Sequence, residues 1–279
     1  MNEASRFWRN PELPFVEARW VIDGRRVCYE PHSHESFSIG VVTGGRSTYL
    51  NGNTLRELNA GATVLMNPGV VHACNPLQGE PWSYLMLYVD LPWLQAQGFV
   101  LPQATYSDCT ALYAHLLQVF TNVFEQQVSG ADVFLKAFFK MLPSYLQMAG
   151  EVVRSDHPRL DTAAAFIRAH RLDPLSLDDI CLVAGLSRSY LIRAFRHRFG
   201  LTPHGYLIDQ RVQHARAELR RGRGIAEVAL EAGFADQAHL QRAFKQHLAA
   251  TPGHYRSGCC SRPSGQHQIR RTDHQQGRQ

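Results

Sequence analysis

From about Phe15 to Asp90 the apolar residues come in short runs rich in β-branched and aromatic side chains, separated by turn signals, a pattern that predicts strands. Ser38 to Thr43 and Arg46 to Leu50 flank Gly44-Gly45, and Asn51-Gly52 is a strong hairpin signal. Asn67-Pro68-Gly69 breaks the next run. In the run Trp82 to Val89, alternation puts Trp82, Tyr84, Met86 and Tyr88 on one face and Leu85, Leu87 and Val89 on the other. A strand apolar on both faces is covered on both, which points to a closed barrel or sandwich.

Further along, the period lengthens. Leu112, Leu116, Val119 and Val123 follow helical spacing, and after Ser129-Gly130 a second helical set is formed by Phe134, Ala137, Phe138, Met141 and Tyr145. Such an antiparallel pair either packs on the barrel or forms a coiled-coil seam with a second copy of the chain. The polar stretch Ser155-Asp156-His157-Pro158 reads as a linker.

Beyond it the chain repeats itself. Leu177, Ile180, Cys181 and Ala184 make a helical stripe that Gly185 ends, and Leu191, Ala194, Phe195 and Phe199 make a second. Ile225, Val228, Ala229 and Ala232, then Gly233, then Leu240, Ala243, Phe244 and Leu248 give the same text again. Two short helices joined at a glycine turn form a helix-turn-helix. Ser187 and Asp236 stand where each second helix needs an N-cap. Pro203 to Arg221, with Tyr206, Leu207, Val212, Ala215 and Leu219 on one stripe, reads as a long connecting helix ended by Gly222.

The positions shared by the two copies are those that fold the unit. On the second helices, the residues off the apolar stripe differ: Arg188, Ser189, Ile192, Arg193 and Arg196 in the first, and Gln237, Ala238, Gln241, Arg242 and Lys245 in the second. Arginine can grip a guanine edge, glutamine an adenine, and isoleucine or alanine a thymine methyl, whereas Arg196 and Lys245 suit phosphates. Two such helices about 34 Å apart enter successive major grooves on one side of double-stranded DNA.

Charge supports this division. Residues 1–158 carry 10 Lys+Arg against 14 Asp+Glu, and residues 159–256 carry 15 against 9, of which only Lys245 is lysine. That arginine bias favours planar, bidentate recognition of phosphates and base edges. With 279 residues and 44% hydrophobic content, about two domains are expected. No apolar run approaches a membrane span, so a cytoplasmic protein without membrane partners is expected. The six cysteines form no CxxC pair and read as reduced thiols.

The segments "LSLDDICLVAGLSRSYLIRAFRHRFGLTPHGYL" and "IAEVALEAGFADQAHLQRAFKQHLAATPGHYR" resemble the DNA-binding region of the AraC/XylS family of bacterial transcription regulators. The resemblance implies two helix-turn-helix units bridged by a long helix. It places base contacts at Ser189, Ile192, Arg193, Gln237, Ala238, Gln241 and Arg242, and it implies RNA polymerase as a partner. "PHSHESFSIGVVTGG" and "AGATVLMNPGVVHACN" resemble the two motifs of a cupin barrel, the effector-sensing fold of many members.

In that barrel His32 and His34 alternate on a predicted strand and face the same way, with His72 joining from the second motif. Metal-binding cupins add a carboxylate after the histidine pair. Here Glu35 follows His34 directly and faces away, and Gly40 offers no ligand. Three histidines remain a chemically competent set for zinc or iron, but the expectation is a pocket without metal or cofactor. His32, His34, Tyr49, His72, Trp82, Tyr84, Met86 and Tyr88 line it for a small-molecule effector.

The expected architecture is therefore a cupin-like barrel over 1–105, a helix pair over 106–150 that is a candidate dimerisation element, a linker at 151–158, an all-α double helix-turn-helix domain over 159–256, and a disordered tail at 257–279. The expected function is ligand-responsive, sequence-specific transcription regulation without catalysis. A metal-dependent cupin oxygenase or isomerase with a DNA-binding appendage is the alternative, and a general chromatin-architectural protein a third reading.

Overall fold

A computed structural model describes residues 5–25, 27–77, 79–125, 130–146 and 157–258. The expected linker up to residue 156, and the expected tail from residue 259, lie outside the described residues. Among the described residues, the amino-terminal half holds nine strands: β1 (Ser5–Trp8), β2 (Val16–Val21), β3 (Phe37–Gly44), β4 (Arg46–Asn51), β5 (Thr54–Asn59), β6 (Thr63–Met66), β7 (His72–Pro76), β8 (Ser83–Val89) and β9 (Tyr106–Ser107). They form two antiparallel sheets, of order β1-β2-β8-β3-β6-β9 and β5-β4-β7. Both predicted hairpins are present, with Gly44-Gly45 between β3 and β4 and Asn51-Gly52 between β4 and β5.

The sheets face each other across a core that includes Val42, Tyr49, Leu58, Met66, Tyr84 and Met86. They make a cupin-like jelly roll of two sheets, not one unbroken ring of strands. β9 adds to β6 and carries the sheet past the expected boundary at residue 105.

β8 behaves as its alternation requires. Trp82, Tyr84 and Met86 enter the core between the sheets, while Leu87 and Val89 enter a second core under the helices that follow. These are α1 (Leu91–Ala96), α2 (Thr110–Val119), which continues as a π-helical turn over Phe120–Glu125, and α3 (Ala131–Tyr145). Leu112, Leu116, Val119 and Val123 all face this core and are almost wholly buried, so they pack on the sheet and are not free to form a seam with another copy.

The inward face of α3 differs from the expected one. Leu135, Phe138, Phe139 and Leu142 are buried, whereas Phe134 and Met141 are 42% and 47% exposed. Val133 to Leu142 is apolar on nearly every side, so periodicity alone permits two rotations of the helix about its axis. Phe139 decides between them by meeting Phe37, Trp93 and Phe99 edge-on.

The carboxy-terminal half is helical: α4 (Pro158–Ala169), α5 (Leu177–Ala184), α6 (Arg188–Phe199), α7 (Pro203–Arg220), α8 (Ile225–Glu231), α9 (Gln237–Leu248) and α10 (Pro252–Arg256). α7 divides its apolar face between two cores. Tyr206 and Leu207 pack with Ile180, Leu191 and Phe195 of the first repeat, and Val212, Ala215 and Leu219 pack with Val228, Leu240 and Phe244 of the second. Gly185 and Gly233 end the first helix of each repeat at φ 62° and 76°, a conformation open to glycine at little cost.

Capping differs between the copies. Asp236 accepts from the His239 N–H at 2.6 Å, as expected of an N-cap. Ser187 occupies the equivalent position, but its exposed hydroxyl makes no bond to the helix, leaving those N–H groups to water. The two halves also share a core: Phe7 of β1 packs among Val212, Phe244 and Tyr255.

Candidate nucleic-acid interface and effector pocket

α6 and α9 are held by their buried stripes, Leu191 and Phe195 in one and Leu240, Ala243 and Phe244 in the other. The opposite sides are therefore turned to solvent. Arg188, Ser189, Ile192, Arg193, Arg196, Gln237, Ala238, Gln241, Arg242 and Lys245 are all exposed.

Their charges are not equally available. Arg188 forms a forked ion pair with Asp178 of α5. Arg198, Arg211, Arg216, Arg220, Arg221 and Arg223 are likewise bonded within the protein. The arginine excess is thus partly structural. Among the described residues, no ion pair engages Arg193, Arg196, Arg242 or Lys245, which are the remaining cations on the outward faces of the two helices beside the paired Arg188.

In the jelly roll, a pocket is lined by the three histidines together with Tyr29, Cys74, Trp82, Tyr84, Met86 and Tyr88. Seven of the eight predicted pocket residues line it, and Tyr49 does not: it is buried in the core beside it, with its hydroxyl donating to the Leu65 carbonyl at 2.9 Å. The side chains nearly fill the pocket, leaving about 30 Å³ of free room.

His32 and His34 do not lie on a strand. They belong to the connection before β3, and His32 makes an isolated antiparallel bridge to His72. The bridge brings the two imidazole centroids to 4.5 Å, and His34 stands 4.5 Å from His72 on another side. One ligand nitrogen from each histidine lies within 4.8 Å of the others, so among the described residues the trio is the set that could hold a metal ion. Glu35 is exposed.

Burial decides the protonation of the lining. It lowers the His72 pKa to about 4, and burial followed by the nearby His72 holds His32 and His34 well below the usual imidazole range. The same desolvation pushes Tyr29 and the Cys74 thiol up to about 12. The pocket is a chamber of neutral polar groups.

Residues 20–142 match the family model of the AraC-like ligand binding domain, and residues 180–258 match that of a helix-turn-helix domain. The chain belongs to the AraC family. Among similar proteins, the Arabinose operon regulatory protein of Salmonella typhimurium is 27% identical over 82% of this chain and 86% of its own length. The HTH-type transcriptional regulator YbfI of Bacillus subtilis is 23% identical over 86% and 90%. Apo ToxT from Vibrio cholerae shares the two-domain fold, with a TM-score of 0.59 at 15% identity over 90% of this chain and 99% of that one. This AraC-family protein is accordingly a transcription regulator with a ligand-binding and a DNA-binding half.

Sequence reading missed how this family member joins those halves. Glu17 of β2 is buried and accepts from Arg9 at 2.7 Å, from Arg216 of α7 at 2.6 Å and from the Tyr255 hydroxyl at 2.8 Å. Burial alone raises a carboxyl pKa, but Arg216 and Arg9 outweigh it and bring Glu17 down to about 2. Arg216 also lies over the Tyr88 ring, 4.6 Å from its centroid, so one guanidinium touches both the pocket wall and the buried carboxylate. Arg19 donates to the Leu248 carbonyl at 2.7 Å. The legible signal was a glutamate and an arginine placed at alternate positions in an otherwise apolar strand.

Proposed function

We propose that α6 and α9 enter successive major grooves of one duplex, with Arg193, Gln237, Gln241 and Arg242 reading base edges and Arg196 and Lys245 holding phosphates. The observation that carries this reading is the pair of outward helix faces on which Arg193, Arg196, Arg242 and Lys245 form no ion pair among the described residues, while Arg188 and most neighbouring arginines are bonded within the protein. The pocket takes a small organic effector. Because so little free room remains in it, an effector of more than a few atoms must move Tyr29, Tyr84 or Met86. Any movement of Tyr88 reaches Arg216 and the carboxy-terminal half. An effector that favours one arrangement shifts the population toward it.

The protein carries out no reaction in this reading: among the described residues no carboxylate lines the pocket, and its thiol, phenols and imidazoles are held in their neutral forms. It works in the cytoplasm, alongside its DNA. The proposed divisions fall near residues 105, 150 and 158; the change from strands to helices after β9 supports the first of them. RNA polymerase is the partner that transcription control requires. The exposed Val133, Phe134 and Met141 of α3 offer one apolar surface for a homodimer.

Selection of bound sequences from a random duplex pool, with and without candidate metabolites, tests this function. A two-part asymmetric motif whose enrichment changes with one metabolite is expected. Uniform binding to all sequences, lost at moderate salt, would overturn it.

A further inference from the structure

The connection from Glu30 to His34 has two working sides. His32 and His34 turn into the pocket. Ser33, between them, turns the other way and is buried against α7, where its N–H donates to Asp209 Oδ1 at 3.0 Å and its hydroxyl donates to Oδ2. Three residues earlier, the Glu30 N–H donates to the Gln246 carbonyl of α9 at 3.0 Å. The backbone that carries two pocket histidines therefore also binds both α7 and a recognition helix.

The histidines are arranged as ligands. Nδ1 of His32 lies 2.9 Å from the Glu30 carbonyl, Nδ1 of His72 lies 2.9 Å from the Val70 carbonyl, and Nδ1 of His34 lies 3.2 Å from the Ser36 carbonyl. A carbonyl only accepts, so Nδ1 of His32 and of His72 carries the proton and their Nε2 atoms keep the lone pair; at His34 the Ser38 hydroxyl, also 3.2 Å from Nδ1 and 3.5 Å from Nε2, can accept in the same tautomer. Such an outer hydrogen bond fixes the tautomer and ring orientation of a metal-bound histidine. The backbone bridge between His32 and His72, with bonds of 3.0 and 2.9 Å, holds two of the three bases in place.

We infer that His32, His34 and His72 bind one divalent transition-metal ion through their Nε2 atoms, and that the ion governs the grip of Ser33 on Asp209 and hence DNA affinity. Three imidazoles select against calcium and magnesium, which require oxygen ligands, and in favour of zinc and its first-row neighbours. The free room of about 30 Å³ suits an ion or a single water. Ligand nitrogens within 4.8 Å of one another close to tetrahedral spacing by movements of about an ångström. That shift is transmitted along a segment only a few residues long. Arg216, the nearest cation on α7, is already paired with Glu17. Three protein ligands leave a fourth position for water or for a donor atom of the effector.

The metal site stands independently of the proposed function, whereas its control of DNA binding rests on that reading. The test uses the full-length protein, stripped with a chelator and titrated with Co²⁺, followed by competition with Zn²⁺. Visible ligand-field bands of nitrogen-coordinated Co²⁺ at one ion per chain are expected, together with at least about a 100-fold loss of affinity in His72→Ala. Absence of those bands in the wild type overturns the site whether or not the variant folds, as does equal binding by wild type and a folded His72→Ala. With the selected duplex, Zn²⁺ should change the wild-type dissociation constant about fivefold or more. Ser33→Ala should keep the Co²⁺ bands and lose that change. An unaltered response in Ser33→Ala overturns the coupling. Failure of the wild type to prefer any duplex overturns the DNA-reading proposal and the coupling with it, while the Co²⁺ spectrum still decides the site.

Discussion

Glu17 and Arg216 stand 199 positions apart in the chain and meet at 2.6 Å, joining a strand of the ligand-binding half to the connecting helix of the DNA-binding half. A buried carboxylate is tolerable only while its cations remain. Its environment lowers its pKa from 4.5 to about 2, so the ionised form favours the folded state. The resulting stability is fully present above the unfolded value and is lost as pH falls from about 4.5 toward 2. Over that window the wild type should lose about 3 kcal/mol relative to Glu17→Gln. Urea unfolding of both proteins at pH 5 and near pH 2 checks the sign: their difference should shrink on acidification.

On the DNA side, the ten outward residues should separate by role. Arg193→Ala and Arg242→Ala should each cost roughly 1 to 3 kcal/mol on the preferred duplex and relax selectivity at one base pair. Arg196→Ala and Lys245→Ala should weaken all duplexes alike and reduce the slope of log affinity against log salt by about one. Salt titrations on matched and mismatched duplexes distinguish the two behaviours.

Capping supplies a comparison within one molecule. Asp236→Ala removes an observed bond to the His239 N–H and should cost about 1 kcal/mol. Ser187→Ala removes no such bond and should change stability by less than about 0.5 kcal/mol. Denaturant midpoints of the two variants against wild type settle the order.

The two turn glycines should also differ. Gly185→Ala has open space around the new methyl and suffers only the left-handed backbone, at about 1 kcal/mol. Gly233→Ala places a methyl 2.8 Å from the Arg211 Cζ. That guanidinium donates to the carbonyls of Arg171, Asp173 and Gly233, so its displacement breaks a tie between the repeats. Thermal melts should show the larger drop for Gly233→Ala.

The repeat was legible because each copy has to bury the same stripe, so Leu191 and Leu240, or Phe195 and Phe244, declare the helix face that remains outside. The face of α3 was not, because its apolar residues surround the helix and only contact with Phe37, Trp93 and Phe99 chooses among them. Of the pocket, β8 was readable from alternation alone. Tyr49 looked equally suited, but its place on the other sheet sends its hydroxyl to the Leu65 carbonyl. The pairing of His32 with His72 depends on a backbone bridge that no local period signals. Glu17, Arg19, Asp209 and Arg216 escaped notice for a related reason: the partner each meets in the opposite half lies more than a hundred residues away.

Phe7 has a practical consequence for protein engineering. Its ring completes the core around Val212, Phe244 and Tyr255, although it is supplied by the first strand of the other half. A hybrid that fuses this DNA-reading half to a sensor borrowed from a relative would leave an open greasy socket beside Tyr255 and strand its arginine neighbours without Glu17. Swapping modules in this regulator therefore means transplanting the opening strand and its neighbour along with the helices they serve.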